Sequence, residues 1–391
     1  MLVNDLTPHL AAQRQALLDT VARVIDSGWL VLGPSVQRFE AAFAAYVGVP
    51  HAVGVANGTD ALRLSLKAAG VQAGDAVWMV ANAGGYGAIA AHQLGAKPQY
   101  LDVNLDTQVL QASTVANALS GALASNALTN AAPAGTRPKA LILTHLYGRL
   151  VPDSAAIAAL CREHGVTLIE DCAQAHGARL RVDSGLGEAN AEPRWAQAGS
   201  FGDLACLSFY PTKNLGALGD GGAVLCRDGE LAQRLRQLRQ YGWAGKYEVA
   251  LAGGENSRLD ELQAALLSVQ LPLLDAFNAR RRAIVNAYIA GIRHAEVTLP
   301  APLGEDCVGH LAVIRSPRRD ALRGHLKAQD IGCDVHYPIA DHQQPVWRAA
   351  YPGLRLPNTE QLAREVLSLP CYPEMTDAQV QQVVDAVNSW V

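Results

Sequence analysis

Between residues 50 and 230 short apolar runs alternate with helical patterns: HAVGVANG leads into TDALRLSLKAAG, AVWMVAN into GAIAAHQLG, and PKALILTHLYG into DSAAIAALCREHG, with VTLIEDCA following. A short continuous apolar run between turn signals fits a buried strand, and apolar residues three and four apart fit an amphipathic helix. The alternation predicts β-α-β units, hence an α/β fold with a mainly parallel sheet covered by helices. Ligands of such sheets bind beyond the carboxyl ends of the strands. There each apolar run meets polar residues: Asn57 to Asp60, Asn82, His145 and Asp171.

After Gly222 the pattern lengthens. GELAQRLRQLRQYG and RLDELQAALLSVQLPLLDAFNARRRAIVNAYIAGI predict a layer of long helices, followed by a smaller α/β unit. That unit reads as a strand HLAVIRS, a helix RDALRGHLKAQDIG, a strand CDVHYP and a final helix TDAQVQQVVDAVNSWV. A boundary near residue 250 gives a large domain over 1–250, with an N-terminal arm, and a connecting helix and small C-terminal domain over 251–391. Residues 117–136, rich in Ala, Ser and Asn, predict a helix end and loop.

A chain of 391 residues, half of them hydrophobic, is long enough for two such cores. The 32 basic and 36 acidic residues leave a net charge of -4 with no Lys/Arg block, which predicts a small-molecule partner and no nucleic acid. Seven cysteines, scattered singly from Cys161 to Cys371, suit neither a disulfide framework nor a structural zinc site. The first residues, MLVNDLTPHLAAQRQALLDTV, lack a basic segment, an apolar stretch and a cleavage site, and no apolar run is long enough to cross a bilayer. A cytoplasmic protein is the expectation.

Four stretches carry candidate chemistry. In ANGTDAL, Asn57, Gly58 and Thr59 stand between a strand and a helix, where free N–H groups and the helix dipole favour a phosphate; Thr59 as a plain N-cap explains the same letters. In LIEDCAQAHGA, Asp171 ends an apolar strand, a costly place for a carboxylate without a positive partner. A protonated ring nitrogen or an arginine would serve. Gln174 rises from the same strand end, and His176 reads as a packed loop histidine. SFYPTKNLGALGDGG sets Lys213 in a glycine-rich loop, and GGENSRLDELQAA puts Asn256 and Arg258 before a long helix. An amine, a strand-end carboxylate and an anion cradle are the parts that pyridoxal phosphate requires.

These stretches, with SGWLVLGPSVQRFEAAFAAYVG, GAKPQYLDV, THLYGRL and VHYPIADHQQP, follow in order the pattern of the DegT/DnrJ/EryC1/StrS aminotransferases, which the chain resembles over nearly its whole length. The resemblance implies the aspartate-aminotransferase-like fold (type I) and pyridoxal 5'-phosphate as cofactor. It makes Lys213 the Schiff-base lysine and Asp171 the partner of the ring nitrogen, with Gln174 near the ring and its 3-hydroxyl. Ser208, Gly58 and Thr59 would hold the phosphate. It also implies that Asn256 reaches the phosphate of a neighbouring subunit, hence a homodimer with shared sites, a local helix cap being the other reading of Asn256.

The implied substrates are L-glutamate and a nucleotide-linked keto-hexose. His336, Tyr337, Arg149 and Arg258 are candidate substrate contacts, as are Tyr147, Trp243 and Lys246 in loops. Two departures stand out. Where the family has a Thr and an aromatic ring that stacks on the cofactor, this chain has Ala83 and Gly84, and Tyr86 is the nearest candidate for the ring. The loop over 181–199 is longer than usual and reads as a surface excursion. Lys213 argues against the dehydratase branch, in which a histidine replaces it; relatives acting on cyclitols and a non-catalytic cofactor-binding sensor are the remaining alternatives.

Overall fold

The computed structural model describes residues 1–121, 137–182 and 194–391. Two helices, α1 (Leu6–Ser27) and α2 (Pro34–Val47), precede the sheet. In chain order the next strands are β1 (His51–Val55), β2 (Ala76–Val80), β3 (Lys97–Leu101), β4 (Ala140–Thr144) and β5 (Thr167–Asp171). A side hairpin, β6 (Arg179–Val182) with β7 (Arg194–Gln197), separates them from β8 (Leu204–Ser208) and β9 (Gly222–Cys226). All but the hairpin form one seven-stranded sheet in the order β1-β9-β8-β5-β4-β2-β3. Strands β3, β2, β4, β5 and β8 run parallel, while β9 is antiparallel to both β8 and β1. The long apolar runs follow from this placing: every residue of β2, β4 and β9 is buried.

Helices α3 (Gly58–Ala68), α4 (Tyr86–Gln93), α5 (Ala112–Leu119) and α6 (Ser154–His164) connect strands of the sheet, and α7 (Gly229–Leu238) follows its last strand. The predicted loop over 117–136 lies outside the described residues from 122 on. So does the middle of the 181–199 excursion, whose described ends are parts of β6 and β7.

A short hairpin follows, β10 (Trp243–Gly245) and β11 (Glu248–Val249), and then the long helical run. It breaks where Pro272 interrupts the backbone donors: α8 (Glu261–Gln270) ends in a 3-10 turn over Leu271–Leu273 and α9 (Leu274–Gly291) resumes. The smaller α/β unit contains β12 (Ala312–Arg315), α10 (Arg319–Ala328), α11 (Pro357–Glu365), β13 (Val366–Leu369) and α12 (Asp377–Asn388). Strand β12 pairs with β13, and CDVHYP, expected as a strand, is an extended segment held by one bridge between Asp334 and Ser368. Its alternation serves docking: Val335 is buried against the core while the segment from His336 onward turns back over the large sheet.

Two features tie the units together. One apolar cluster runs without a break from Trp78 and Leu141 in the sheet, through Tyr288 of α9, to Val313 and Leu367. The N-terminal arm adds a strap: the Gly332 and Cys371 amides donate to the Met1 and Val3 carbonyls at 2.7 and 3.0 Å, and the Asn4 side chain donates to the Thr212 carbonyl at 3.2 Å, one residue from Lys213. No helix among the described residues is long and apolar enough to cross a membrane.

Candidate active site

The ends of β5 and β8 and the start of α3 enclose a cavity of about 320 Å³, lined by Asp171, Ser208, Gly58, Thr59, Tyr86 and Lys213 among others. Asp171 is the last residue of β5, nearly buried, with one hydrogen bond to its carboxylate, from the Ala173 amide at 3.2 Å. Burial pushes its carboxyl above the usual carboxylate range, against the pull of that amide and of Lys213 and His145.

Lys213 sits in a loop closed tightly on itself. The Lys213 amide donates to the Tyr210 carbonyl, the Ala217 amide to the Phe209 carbonyl, and the Gln270 side chain at the end of α8 to the Gly216 carbonyl. A Cβ on Gly216 would stand 2.4 Å from the Pro211 oxygen, so this closure requires glycine. Burial lowers the Lys213 ammonium to about 8, against the attraction of Asp171. The two groups face one cavity and form no ion pair, which leaves room between them.

The other end of the cavity is an anion cradle. Asn57, not Thr59, is the N-cap of α3: its side chain accepts the Asp60 amide at 2.8 Å. Thr59 is therefore left facing the cavity, and the first-turn amides of Gly58 and Thr59 have no intrahelical acceptor. A Cβ on Gly58 would lie 2.6 Å from the Ser208 Cβ, and one on Gly222 would lie 2.4 Å from the Asn57 carbonyl oxygen. Helix start, Ser208 and β9 thus pack closer than any side chain at those glycines would permit. An amine at one end, a carboxyl in need of a cation and an N–H cradle at the other fit the aldehyde, ring nitrogen and phosphate of pyridoxal phosphate.

Around this centre the remaining candidates divide. The Gln174 side chain accepts the Tyr147 amide at 2.6 Å and donates to the Tyr337 hydroxyl at 3.2 Å. Tyr86, at the first turn of α4, lines the cavity directly, with two left-handed glycines, Gly84 and Gly85, turning the chain before it. His336 is half-buried and bonded through Nδ1 to the Ser368 hydroxyl at 2.8 Å. Tyr147, expected in an open loop, is buried, and its hydroxyl donates to the His336 carbonyl. Arg149 is withdrawn by an ion pair with Asp306 at 2.8 Å, a partner remote in sequence. His176 is buried, accepting the Leu215 amide at 3.2 Å.

Asn256, Arg258, Trp243 and Lys246 do not line this chain's own cavity. Asn256 is exposed and bridges to Gln240, and Asp260 stands at the N-cap of α8, so the helix-cap reading of Asn256 is not met. Arg258 lies over the Tyr241 ring at 5.8 Å, and Trp243 packs between Tyr241 and Tyr247. Sequence reasoning missed Ala173, Tyr210 and Asp220, all of which line the cavity. Position was their only signal: each lies within the two stretches that carry Asp171 and Lys213.

Behind Asp171, Glu170 is wholly buried. It accepts the Gly199, Phe201 and Gly202 amides, and His145 donates to it from Nε2 at 2.8 Å while accepting the Val151 amide at Nδ1. Cys172 completes a cluster that could in principle hold a metal, but the imidazole and the carboxylate are already committed to these hydrogen bonds.

The profile of the DegT/DnrJ/EryC1/StrS aminotransferase family matches residues 12–388. A dTDP-3-amino-3,4,6-trideoxy-alpha-D-glucose transaminase of Streptomyces venezuelae is 41% identical, the match covering 95% of this chain and 90% of the relative. A UDP-N-acetyl-3-dehydro-alpha-D-glucosamine 3-aminotransferase of Acidithiobacillus ferrooxidans is 38% identical, the match covering 98% of this chain and 96% of the relative. Among solved structures, S. venezuelae DesV in complex with a ketimine intermediate superposes with a TM-score of 0.88 at 40% identity, covering 99% of this chain and 97% of that one.

Proposed function

The chain belongs to the DegT/DnrJ/EryC1/StrS aminotransferase family, with pyridoxal phosphate as its cofactor, and we propose that it moves an amino group from L-glutamate to C3 of a nucleotide-linked keto-hexose. The observation that carries the chemistry is the pair Lys213 and Asp171, facing one cavity across a gap that neither closes. The position on the sugar rests on relatives named for 3-amino and 3-dehydro sugars, which differ in their nucleotide.

Bound pyridoxal phosphate supplies an aldehyde that takes up the amino group and a ring that accepts the electron pair released at the substrate carbon. Lys213 Nζ would be the base that takes the proton from that carbon and the acid that returns it on the other side of the transfer. Asp171 would hold a proton on the ring nitrogen, whose positive charge would offset the burial that raises its carboxyl. Gly58, Thr59 and Ser208 hold the phosphate, and Tyr86 supplies a face for the ring.

The site is completed in a homodimer by this reading, with Asn256 contributed to the partner's phosphate. Its exposure supports the reading, as does the exposed apolar run Trp29, Leu30 and Val31. Seven free, buried cysteines support a reducing cytoplasm. The test is direct: the loaded protein is yellow, L-glutamate bleaches it with release of 2-oxoglutarate, and a panel of keto-sugar nucleotides restores the colour. NMR of the product then locates the amine. Repeated turnovers by Lys213→Ala, or colour unchanged by every amino donor, would overturn the assignment.

A further inference from the structure

Gly84 is the position at which the family resemblance implies a ring, and the space beside it is filled from the other unit. A Cβ built on Gly84 would lie 2.8 Å from Tyr337 Cε1 and 2.9 Å from Cζ, so the Tyr337 ring rests against the bare Cα. Gly84 has φ +79°, a conformation that itself disfavours a side chain. An aromatic residue at 84 and the Tyr337 ring are therefore mutually exclusive.

From that place Tyr337 touches Tyr86, which lines the cofactor cavity, and Gln174, in the turn that follows Asp171. Its ring meets Tyr86 edge-on, with centroids 6.3 Å apart at 77°, an arrangement aromatic pairs favour. Its hydroxyl accepts from Gln174 Nε2 at 3.2 Å. The Gln174 amide has only one orientation consistent with its neighbours, because the Tyr147 N–H takes Oε1 at 2.6 Å and forces Nε2 toward Tyr337. One of the two Nε2 hydrogens goes to the phenol, and the other remains for an acceptor. Tyr147 closes the arrangement by donating from its own hydroxyl to the His336 carbonyl, fixing the backbone that delivers Tyr337. The segment is docked further by the Asp341 amide, which donates to the Ala81 carbonyl at 2.8 Å.

We propose that Tyr337 is a positioning residue for the cofactor: it fills the space of the ring absent at Gly84, braces Tyr86, and fixes the orientation of Gln174, which the family resemblance would place near the cofactor's 3-hydroxyl, as a hydrogen-bond donor. The inference rests on the aminotransferase reading and says which residue of the small unit that reading requires. The titratable groups facing the phenol include Tyr86, Asp171 and Tyr147, and burial raises the phenol well above its ordinary value, so it stays neutral and able to accept from Gln174 throughout the working range.

The experiment uses the full chain loaded with pyridoxal phosphate, with two readouts: the cofactor dissociation constant, and the pH midpoint of the visible absorbance. Tyr337→Phe keeps the ring and removes the acceptor, so cofactor affinity stays within about 3-fold while the midpoint shifts upward, because a fixed donor at the phenolic oxygen holds it down. Tyr337→Ala removes both and weakens cofactor binding about 10-fold or more. Gly84→Phe weakens it likewise through the clash and the positive φ, and Gly84→Phe combined with Tyr337→Ala loses less than the sum of the two single losses because the clash is relieved, a coupling that independent sites do not show. A wild-type midpoint in Tyr337→Phe overturns the role in fixing Gln174, and additive losses at 84 and 337 overturn the shared space. If Tyr337→Ala does not fold, the Phe variant alone decides. Wild-type protein that binds no pyridoxal phosphate would sink the aminotransferase reading itself, whereas normal wild-type loading with unresponsive variants sinks only this inference.

Discussion

The rate at which cofactor-free protein takes up pyridoxal phosphate is set by the fraction of Lys213 that is a free amine, since only the uncharged amine attacks an aldehyde. Burial lowers Lys213 from 10.5 to about 8. With that value roughly 9% of the amine is free at pH 7 and roughly 91% at pH 9, so the loading rate rises about tenfold and then levels off. An unshifted lysine would have roughly 0.03% free at pH 7 and 3% at pH 9, a rise of about a hundredfold with no plateau in the window. The phosphate is doubly ionised above its second pKa of about 6, so it contributes little between pH 7 and 9.5. Stopped-flow absorbance at matched ionic strength measures the rate. Asp171→Asn tests the opposing influence, because the carboxylate attracts the ammonium; its removal moves the midpoint lower still. A hundredfold rise that continues past pH 9.5 would refute the claim that the fold poises this amine.

Other consequences can be measured separately. Gly58→Ala drives a methyl to within 2.6 Å of the Ser208 Cβ and should weaken cofactor binding at least 10-fold, read by fluorescence titration; wild-type affinity would remove these residues from the phosphate site. Glu170→Gln should cost about 2–4 kcal/mol in urea unfolding, because a buried carboxylate serving three amides and an imidazole loses its charge. Burial alone would raise the Glu170 carboxyl, but His145 and the Gly202 and Gly199 amides hold it below 4.5; its stabilisation is present above that value and is lost as pH falls through the lower folded one, a slope Glu170→Gln should flatten. Mixing inactive Lys213→Ala chains with inactive Asn256→Ala chains should restore part of the activity, and no recovery in proven mixed dimers would leave Asn256 without a role across the interface. Free nucleoside diphosphate should compete with the sugar acceptor and not with glutamate, as steady-state inhibition patterns would show.

The parts of the site that were legible in the sequence are those fixed by local structure. A strand that ends in Asp171, a loop that carries Lys213 among glycines and a strand-to-helix turn at Asn57 each declare their geometry within a few residues. Roles that depend on remote partners were not legible. Arg149 looks available until Asp306 takes its charge, and Tyr147 looks like a loop residue until burial and the His336 carbonyl claim it. CDVHYP alternates like a strand, yet alternation does not supply a neighbouring edge, and only Asp334 finds a partner in Ser368.

Gly84 shows most clearly why such limits are physical. A missing side chain is, in sequence, only an absence, and Tyr86 is the nearest ring that could make it good. In the fold both statements hold at once: Tyr86 lines the cavity, and the volume beside Gly84 is taken by Tyr337, carried there by a segment whose anchors are the Ala81 carbonyl and the Tyr147 hydroxyl. Because Tyr337 also receives the Gln174 amide, filling that volume and orienting the donor are one event. The small unit must be docked for either to occur, so the cofactor site is complete only when β2, the Gln174 turn and the segment after Val335 are in contact. Disturbing the docking at Asp341 and Ala81 should then be felt first as loosened cofactor, before any loss of the sheet that carries Asp171 and Lys213.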